Sequence, residues 1–387
     1  MRILTLVHEF PPVGGGGGKV AQDICAGLAS RGHDVRVFTC AIRGHQGQEV
    51  VDGMQVYRLR AGRKQPFRAG FRDMLLYDLA AVVRGLTMFH RWKPDVIHVH
   101  FAVPAGLAGW LLSKLTGIPY VLTTHLGDVP GGVPEKTDGW FRWVAPLTPG
   151  IWHKARQVVA VSQFTRALAE TRYGIQIRVI PNGVDTSVNN PGPITRHQAP
   201  RILFIGRVVQ QKNPLQLVCT LAEIKDLNWE CVIVGDGPLL AELRSEAVAR
   251  GLESRMHFTG WLTQPEVDDW LKKSDVLFMP SFTEGMPVAG LLALSMGLAM
   301  VVSNAGGFTD LVAGPDEEPN GFICPAEDTA AFAHALRTLL ADPDRLLRYR
   351  RASRARAAVF DLARVVAQYE EVLNTERPIR GKVDGTR

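Results

Sequence analysis

The sequence predicts an α/β protein built from two doubly wound domains that face each other across a cleft. Short β-rich runs alternate with amphipathic segments along most of its 387 residues, from RILTLV and DVRVFTC near the start to DVLFMPS and LAMVVS later. Such alternation indicates parallel sheets with helices on both faces. It stops at residues 186–200, TSVNNPGPITRHQAP, and restarts with RILFIGR, so this polar, proline-containing segment is the predicted linker.

The chain is therefore expected to divide into four segments. A first domain covers residues 1–190 and a second covers residues 191–360. An amphipathic helix at 361–374, with the sequence DLARVVAQYEEVLN, is expected to pack back on the first domain. The basic tail at 375–387 is expected to be disordered.

Composition is that of a soluble globular enzyme, with 46% hydrophobic and 21% charged residues. The net charge of +6 suits an anionic partner such as a nucleotide, a nucleic acid or an acidic lipid surface. MRILTLVHEF has a short apolar core and no small-residue cleavage site, so it is expected to form a strand in a cytoplasmic protein. The cysteines are odd in number and lack a CxxC pair, which favours buried thiols over disulfides or a zinc site: Cys25, Cys40, Cys219, Cys231 and Cys324.

The first predicted strand is followed by five consecutive glycines, Gly14 to Gly18, placed before a helix. Such a loop lets backbone N–H groups approach a phosphate, and the helix N-terminus favours negative charge. It is not a Walker loop, because Val20 stands where Ser or Thr is required. A flexible surface turn is the alternative.

Residues 57–72, YRLRAGRKQPFRAGFR, combine basic and aromatic side chains. This segment is expected either to dock on an anionic membrane or to form a solvated, mobile loop. Nucleic acid is not an expected partner, because no stacking platform or groove-reading motif accompanies the segment.

Two later strands of the first domain place histidines near their carboxyl ends. His98 and His100 lie at i and i+2 on one face of DVIHVHF, but no third ligand is nearby, so no metal site is expected. His125 and Asp128 end the strand PYVLTTH, where the loop would face the cleft. A structural role for His125 is the alternative to a catalytic one.

The first strand of the second domain leads into GRVVQQKNP, which places Arg207 and Lys212 on one loop. A planar guanidinium and an ammonium suit a diphosphate leaving group, whose charge grows as the bond to it breaks. Ligands sit beyond the carboxyl ends of strands in open parallel sheets, which favours this interpretation over two solvated surface charges.

Residues 281–302 begin with a polar loop and continue as an apolar run that could span a bilayer only at the short limit. Pro287 fits the first position of a helix, and the run closes in the β-branched LAMVVS, so a helix followed by a buried strand is expected. The amides before the helix could cap a phosphate or a sugar hydroxyl. Glu284 would accept hydrogen bonds from a polyol or, alternatively, complement the helix dipole.

The ordered set of GGGGG, THLGD, IPNGVD, FIGRVVQQKNP, VGDGP, HFTGW and SFTEGMP resembles the retaining GT-B glycosyltransferases of family 4, a group similar to glycogen and sucrose synthases. The resemblance implies two Rossmann-like domains, the first on the acceptor side and the second binding the nucleotide-sugar. It implies sugar transfer with retention of configuration, without a metal ion or other cofactor. The acceptor would be a hydroxyl of a glycolipid, a polysaccharide or a small molecule.

The resemblance also assigns roles to residues. Glu284, His125, Arg207 and Lys212 match catalytic positions, and Asn182 lies in the interdomain connection. Asp128 and His100 are expected on the acceptor side. The residues expected to bind the donor are Gly15, Gly16, Gly17, Gly260, Trp261, Ser281, Gly285, Met286, Pro287, Val288 and Leu292.

Leu292 departs from the family pattern. The E-x7-E signature that begins at Glu284 should place its second glutamate at this position. That carboxylate accepts hydrogen bonds from the ribose, each worth roughly 1.5–3 kcal/mol, and leucine can accept none. We therefore expect weaker nucleotide binding, by about one to two orders of magnitude, with the reacting end of the donor still held.

Two alternatives to an active transferase remain open from the sequence. One is a catalytically inactive partner subunit, which Leu292 favours. The other is a sugar-nucleotide epimerase with the same two-domain shape. For the transferase, the segment 57–72 would bring the protein to a lipid-linked acceptor, peripherally at the inner face of the membrane.

Overall fold

A computed structural model of the chain describes residues 1–65, 69–133, 144, 146 and 148–375. The chain divides into two compact units. The first unit contains residues 1–183 together with the C-terminal helix, and the second unit contains residues 184–361. Each unit is built around its own parallel sheet, which confirms the predicted pair of α/β domains.

The described part of the first unit holds an eight-stranded sheet in the order β3-β4-β2-β1-β5-β6-β7-β8. Every neighbouring pair is parallel except β3 with β4. Its strands are β1 Arg2–Leu6, β2 Asp34–Cys40, β3 Gly47–Val51, β4 Met54–Leu59, β5 Val96–His100, β6 Tyr120–Thr124, β7 Gln157–Ala160 and β8 Arg178–Val179. Its helices before the second unit are α1 Gly16–Ser30, α2 Phe71–Phe89, α3 Ala105–Thr116, α4 Pro149–Lys154 and α5 Gln163–Tyr173.

The antiparallel hairpin of β3 and β4 is the element that the alternating pattern does not predict. Its turn is Asp52-Gly53, with φ angles of 48° and 79°. Two consecutive left-handed residues make the type of tight turn that matches strand twist, and Asp-Gly is a preferred pair for it. The hairpin adds an antiparallel edge to an otherwise parallel sheet.

The second unit contains a six-stranded parallel sheet in the order β11-β10-β9-β12-β13-β14. Its strands are β9 Arg201–Ile205, β10 Glu230–Val234, β11 Met256–Gly260, β12 Val276–Met279, β13 Ala299–Ser303 and β14 Gly321–Cys324. The helices are α6 Pro214–Ala222, α7 Leu240–Ala249, α8 Gln264–Lys272, α9 Val288–Ser295, α10 Phe308–Leu311, α11 Thr329–Leu340 and α12 Pro343–Arg356. All residues of β12 and β13 are buried, as expected for central parallel strands.

The C-terminal helix α13, Leu362–Asn374, belongs to the first unit and packs against α1. A Cβ atom at Gly27 of α1 would lie 2.4 Å from a methyl group of Val366, so the absence of a side chain allows the two helices to approach closely. Glu370 of α13 accepts hydrogen bonds from Arg31 at 2.9 Å and from His33 at 2.7 Å.

The observed boundary between the units lies seven residues before the predicted one at 190/191. Residues 184–190 belong to the second unit because its own groups hold them. Val184 forms a β-bridge with Asp361, and the Thr186 hydroxyl donates to the Asp361 carboxylate. The Ser295 hydroxyl donates to the Asn189 carbonyl at 2.7 Å.

The apolar run at 286–302 forms α9 and the buried strand β13, as predicted. Pro287 precedes α9 as its N-cap and is not its first residue, a shift of one position. Among the residues that the structure describes, no helix combines the length and apolar character needed to cross a bilayer.

The segment 57–72 is not one exposed basic surface. Tyr57 and Arg58 lie in β4 and are buried, because sheet neighbours cover both. Arg58 pairs with Glu49, and its guanidinium donates to the Pro11 carbonyl at 2.6 Å. Arg63 is also buried, whereas Phe71 begins α2 and is exposed. Phe67 and Arg68 lie outside the described residues.

Candidate active site

Each sheet reverses its strand order at its first strand. In the second unit β9 lies between β10 and β12, and in the first unit β1 lies between β2 and β5. Connections from such a point run to opposite faces of the sheet and leave a crevice beyond the carboxyl ends of the strands. The predicted Arg207–Lys212 loop and the loop before α9 both follow strands at the crevice of the second unit.

The loop that carries Arg207 is held by the loop after β10. The Val208 amide donates to the Asp236 carbonyl at 2.9 Å, and the Leu239 amide donates to the Val208 carbonyl at 3.1 Å. A Cβ atom at Gly235 would lie 1.9 Å from the Gly206 carbonyl oxygen, so only glycine permits this approach. The VGDGP motif therefore positions Arg207, whose side chain is exposed at the crevice.

Lys212 and Glu284, both predicted catalytic residues, form an ion pair. Their side chains are 15% and 9% exposed, so the pair is largely withdrawn from water. The loops that carry them are joined at two further points: the Phe282 amide donates to the Gln211 carbonyl, and the Gln211 amide group donates to the Thr283 carbonyl, both at 2.9 Å. A cation and an anion are thereby fixed side by side at the crevice.

The backbone from Gly285 to Val288 leads directly into α9. The Gly307 amide donates to the Glu284 carbonyl at 3.1 Å, and a Cβ atom at Gly307 would lie 1.8 Å from the Gly285 carbonyl oxygen. Gly307 therefore stabilises the turn at Glu284 and Gly285 through this hydrogen bond and through close backbone contact. Sequence analysis did not select it, because its role depends on a contact between two separate loops.

The other predicted donor residues of this unit differ in exposure. Ser281 is fully buried, so its hydroxyl does not face solvent, and its carbonyl accepts from Ser303 at 2.6 Å. Leu292 is half-buried and lies one turn after the similarly half-buried Val288. Gly260 ends β11 with a φ of 71°, and Trp261 beside it is 60% exposed.

The glycine run of the first unit opens α1, with Gly15 as its N-cap. The first backbone bond of the helix joins the Gly18 amide to the Gly15 carbonyl at 3.1 Å, so the N–H groups of Gly16 and Gly17 precede it. A Cβ atom at Gly17 would lie 2.5 Å from the Phe101 ring, whereas nothing lies within 4 Å of one at Gly15. The glycines themselves carry no side chains, and their neighbours are the Phe101 ring beside Gly17 and the Glu9 carboxylate beside Gly14.

Three aromatic rings of the first unit stack where β5 and β6 end. His125 contacts Phe101 at 4.4 Å and His100 at 5.3 Å between ring centroids. The His100 Nδ1 atom lies 3.1 Å from the His125 Nε2 atom, a hydrogen-bond distance. His100 thus fixes the ring orientation of His125.

His100 and Asp128, which we expected on the acceptor side, are both buried. His100 is fully buried behind His125. Asp128 is 1% exposed, and its carboxylate accepts from the Ala102 amide at 2.6 Å and from the His125 amide at 3.0 Å. Both residues position the loops around His125: the Asp128 carboxylate accepts from backbone amides, and the Nδ1 atom of His100 lies at hydrogen-bond distance from His125.

Sequence analysis did not predict a cluster of polar side chains at the end of β1, formed by His8, Glu9 and Arg63. Arg63 is buried, and its guanidinium lies 2.9 Å from the His8 Nδ1 atom and 3.3 Å from a Glu9 carboxylate oxygen. His8 follows β1 as His125 follows β6. The rule that selected His125 would therefore also select His8.

Two family models match this chain, one over most of each unit. The model named Glycosyltransferase Family 4 matches residues 14–188, and the model named Glycosyl transferases group 1 matches residues 199–342. A D-inositol 3-phosphate glycosyltransferase from Xylanimonas cellulosilytica is 31% identical and is aligned over 92% of this chain and 91% of its own. The chain belongs to glycosyltransferase family 4.

Two other proteins are similar to this glycosyltransferase. A 2-deoxystreptamine glucosyltransferase from Streptomyces kanamyceticus is 28% identical over 77% of this chain and 83% of its own. A sucrose-phosphate synthase from Thermosynechococcus elongatus matches with a TM-score of 0.83 over 96% of this chain and 98% of its own, at 22% identity. At that identity the likeness shows the GT-B fold.

The histidines of this glycosyltransferase make its stability pH-dependent. Burial lowers the pKa of His98 and His125 from 6.5 to about 3, and burial together with Arg63 does the same for His8. The folded state therefore binds fewer protons than the unfolded state below pH 6.5, and stability falls as the pH falls through that range. Each such histidine contributes about 1.4 kcal/mol per pH unit well below 6.5.

His98→Gln should reduce the change in the free energy of unfolding between pH 7.5 and pH 5.5 by the contribution of one buried histidine. The measurement is the free energy of unfolding in urea at pH 7.5 and pH 5.5, with the exposed His45→Gln as the matched control. The comparison between variants is needed because burial raises the pKa of Asp78 and Asp128, which acts in the opposite direction. An unchanged slope in His98→Gln would contradict the prediction.

Across residues 1–65, 69–133 and 148–375 of this glycosyltransferase, no three His, Cys, Asp or Glu side chains are grouped so as to hold a metal ion. His98 and His100 are adjacent, with ring centroids 4.2 Å apart. The His98 Nε2 atom lies 3.0 Å from the Thr123 hydroxyl. These two histidines are part of the buried stack next to His125.

Proposed function

We propose that the chain is a retaining, metal-independent transferase that moves a sugar from a UDP- or GDP-type nucleotide-sugar to an acceptor hydroxyl. The observation that carries the proposal is the Lys212–Glu284 pair at the crevice of the second sheet, with Arg207 on the same loop as Lys212. A cationic pair suits a diphosphate, and a fixed carboxylate suits sugar hydroxyls.

The proposed chemistry breaks the bond between the anomeric carbon and the diphosphate and forms a bond from that carbon to the acceptor oxygen, whose proton passes to the departing diphosphate. Negative charge grows on the departing diphosphate, and Arg207 and Lys212 supply fixed positive charge for it. Glu284 accepts hydrogen bonds from the donor sugar, and the amides from Gly285 to Val288 face the phosphates at the start of α9. In this scheme Lys212 both contacts phosphate and orients Glu284.

Other residues are assigned to the same substrate on family resemblance and on their position at a sheet edge. Gly260 and Trp261 would contact the base, and Gly15, Gly16, Gly17 and His125 of the first unit would contact phosphate and sugar. The acceptor is proposed to be a hydroxyl of a glycolipid, a polysaccharide or a small molecule. Relatives named for an inositol phosphate and for 2-deoxystreptamine support a hydroxyl-rich acceptor.

The proposal is tested by incubating the purified chain with UDP-, GDP- and ADP-sugars. Binding to the native state should raise the unfolding temperature with one nucleotide class. NMR of the products should show a released nucleoside diphosphate and a sugar that keeps its anomeric configuration. An epimerised nucleotide-sugar without release would favour the epimerase. Binding without turnover, or no thermal shift with any donor, would favour an inactive partner subunit.

Leu292→Glu should tighten nucleoside diphosphate binding about tenfold, because it restores a carboxylate where related enzymes accept hydrogen bonds from ribose. Leu292 is half-buried, so a glutamate there can reach solvent and the fold should tolerate it. Isothermal titration with UDP and GDP measures the change. Leu292→Met is the control that keeps size and adds no acceptor, and equal affinity for the two variants would contradict the prediction.

A further inference from the structure

Helix α2 exposes a continuous apolar face. Six of its apolar side chains are between 36% and 60% exposed: Phe71, Leu75, Leu76, Leu79, Val83 and Leu86. Spacings of three and four residues place most of them on one side of the helix. The helix has 19 residues, so this side is about 28 Å long.

The opposite side of α2 packs into the first unit. Tyr77 is fully buried, its hydroxyl donates to the Phe38 carbonyl at 2.9 Å, and its ring lies 5.1 Å from that of His8. The inner side of α2 therefore touches the polar group at the carboxyl edge of the sheet, while the outer side is apolar and exposed.

The exposed charged side chains of α2 are basic. Within α2, which the structure describes completely, Asp73 is half-buried at the helix start and Asp78 is buried, so no exposed residue is acidic. Exposed basic residues occur on α2 and in the chain segments before and after it: Arg60, Lys64, Arg72, Arg84, Arg91 and Lys93. An exposed apolar stripe bordered by lysine and arginine is the pattern of a helix that lies in a membrane interface.

The basic charge around this face also favours an anionic lipid surface over a second copy of the chain as its binding partner. A second copy of the chain would bring one basic border against another in a symmetric dimer, which costs free energy through like-charge repulsion. Anionic lipid headgroups instead match the border, while the leucines enter the region between headgroups and acyl chains.

We infer that the outer face of α2 docks the protein on an anionic membrane surface. Docking would hold the carboxyl edge of the first sheet, through Tyr77 and His8, close to lipid headgroups. The inference deepens the proposed function. Only the role of docking, which is to give access to a lipid-linked acceptor, rests on that function. The inference also extends the membrane contact from the end of the segment 57–72, which contains Phe71 and Arg72, along a helix that sequence analysis did not select.

The test is co-sedimentation of the full chain with vesicles, without any sugar donor. We expect binding to vesicles of equal parts phosphatidylglycerol and phosphatidylcholine, and at least tenfold weaker binding to pure phosphatidylcholine. Leu75→Asp combined with Leu79→Asp should reduce binding to the anionic vesicles at least tenfold. Lys64→Glu combined with Arg72→Glu should reduce it by about fivefold or more. The control is Val188→Asp with Val248→Asp, two exposed aliphatic positions of the second unit.

Each outcome decides the inference. No binding of the wild-type chain to anionic vesicles, or equal losses in the leucine and control variants, would overturn it. A dimer in light scattering that the leucine variant dissociates, without vesicle binding, would assign the face to a second copy. Donor hydrolysis in solution should be the same in wild type and leucine variant, so failure of docking is distinguishable from failure of the proposed chemistry.

Discussion

Glu284→Ala is expected to reduce sugar transfer by about 10²–10³-fold or more, because it removes the acceptor for the donor hydroxyls and releases Lys212 from its fixed place. Stability should fall as well, by about 3 kcal/mol, since one charge of a largely buried pair loses its partner. Steady-state transfer rates and urea unfolding measure the two effects separately.

A second substitution separates the two consequences of Glu284→Ala. Adding Lys212→Met removes the unpaired cation, so the double variant should regain part of the stability and none of the activity. Glu246→Ala is the matched control, because Glu246 pairs with Arg250 on an exposed helix surface, where such pairs contribute little. Near-normal transfer by Glu284→Ala would show that the carboxylate is not part of the reacting site.

Gly307→Ala is the second substitution with a large expected effect. The new methyl group would overlap the Gly285 carbonyl oxygen, to which it would lie at 1.8 Å, so the turn before α9 must move. A displacement of about 1 Å in substrate-positioning groups can cost about 10²-fold in rate. We expect that loss in the transfer rate, together with a lower unfolding temperature.

Gly314→Ala provides the comparison for this steric argument. A methyl group there would come no closer than 3.6 Å, to a carboxylate oxygen of Glu317, which is ordinary contact. Transfer rate and thermal unfolding of this variant should remain near those of the wild type. If the two alanine variants behave alike, contact between Gly307 and the turn is not what limits the site.

The location of the loops that carry the proposed site of the second unit could be predicted from the sequence, because it depends only on where the parallel strands end. Knowing where parallel strands end is enough to locate Arg207, Lys212 and Glu284 at one edge. The pairing of Lys212 with Glu284 could not be predicted, since the two residues are 72 positions apart and meet only after the sheet is assembled.

The first unit was harder to interpret from sequence. Arginines are usually exposed, so the pattern gave no sign that Arg58 and Arg63 are covered by the sheet edge and the loop after β1. Asp128 follows a strand as His125 does, yet its carboxylate turns inward to backbone amides. Position along the strand predicts which loop a residue joins, whereas the direction of its side chain depends on neighbours from other elements.

The connectivity of the two units has a consequence for biosynthesis. The chain leaves the first unit at Gly183 and returns to it at Leu362, so the second unit is encoded as an insertion within the first. During translation, residues 184–361 can fold as soon as they emerge, whereas the first unit lacks the helix that covers Gly27 of α1 until Leu362–Asn374 are made. A chain released before Leu362 would therefore contain every residue of the second unit and only part of the first.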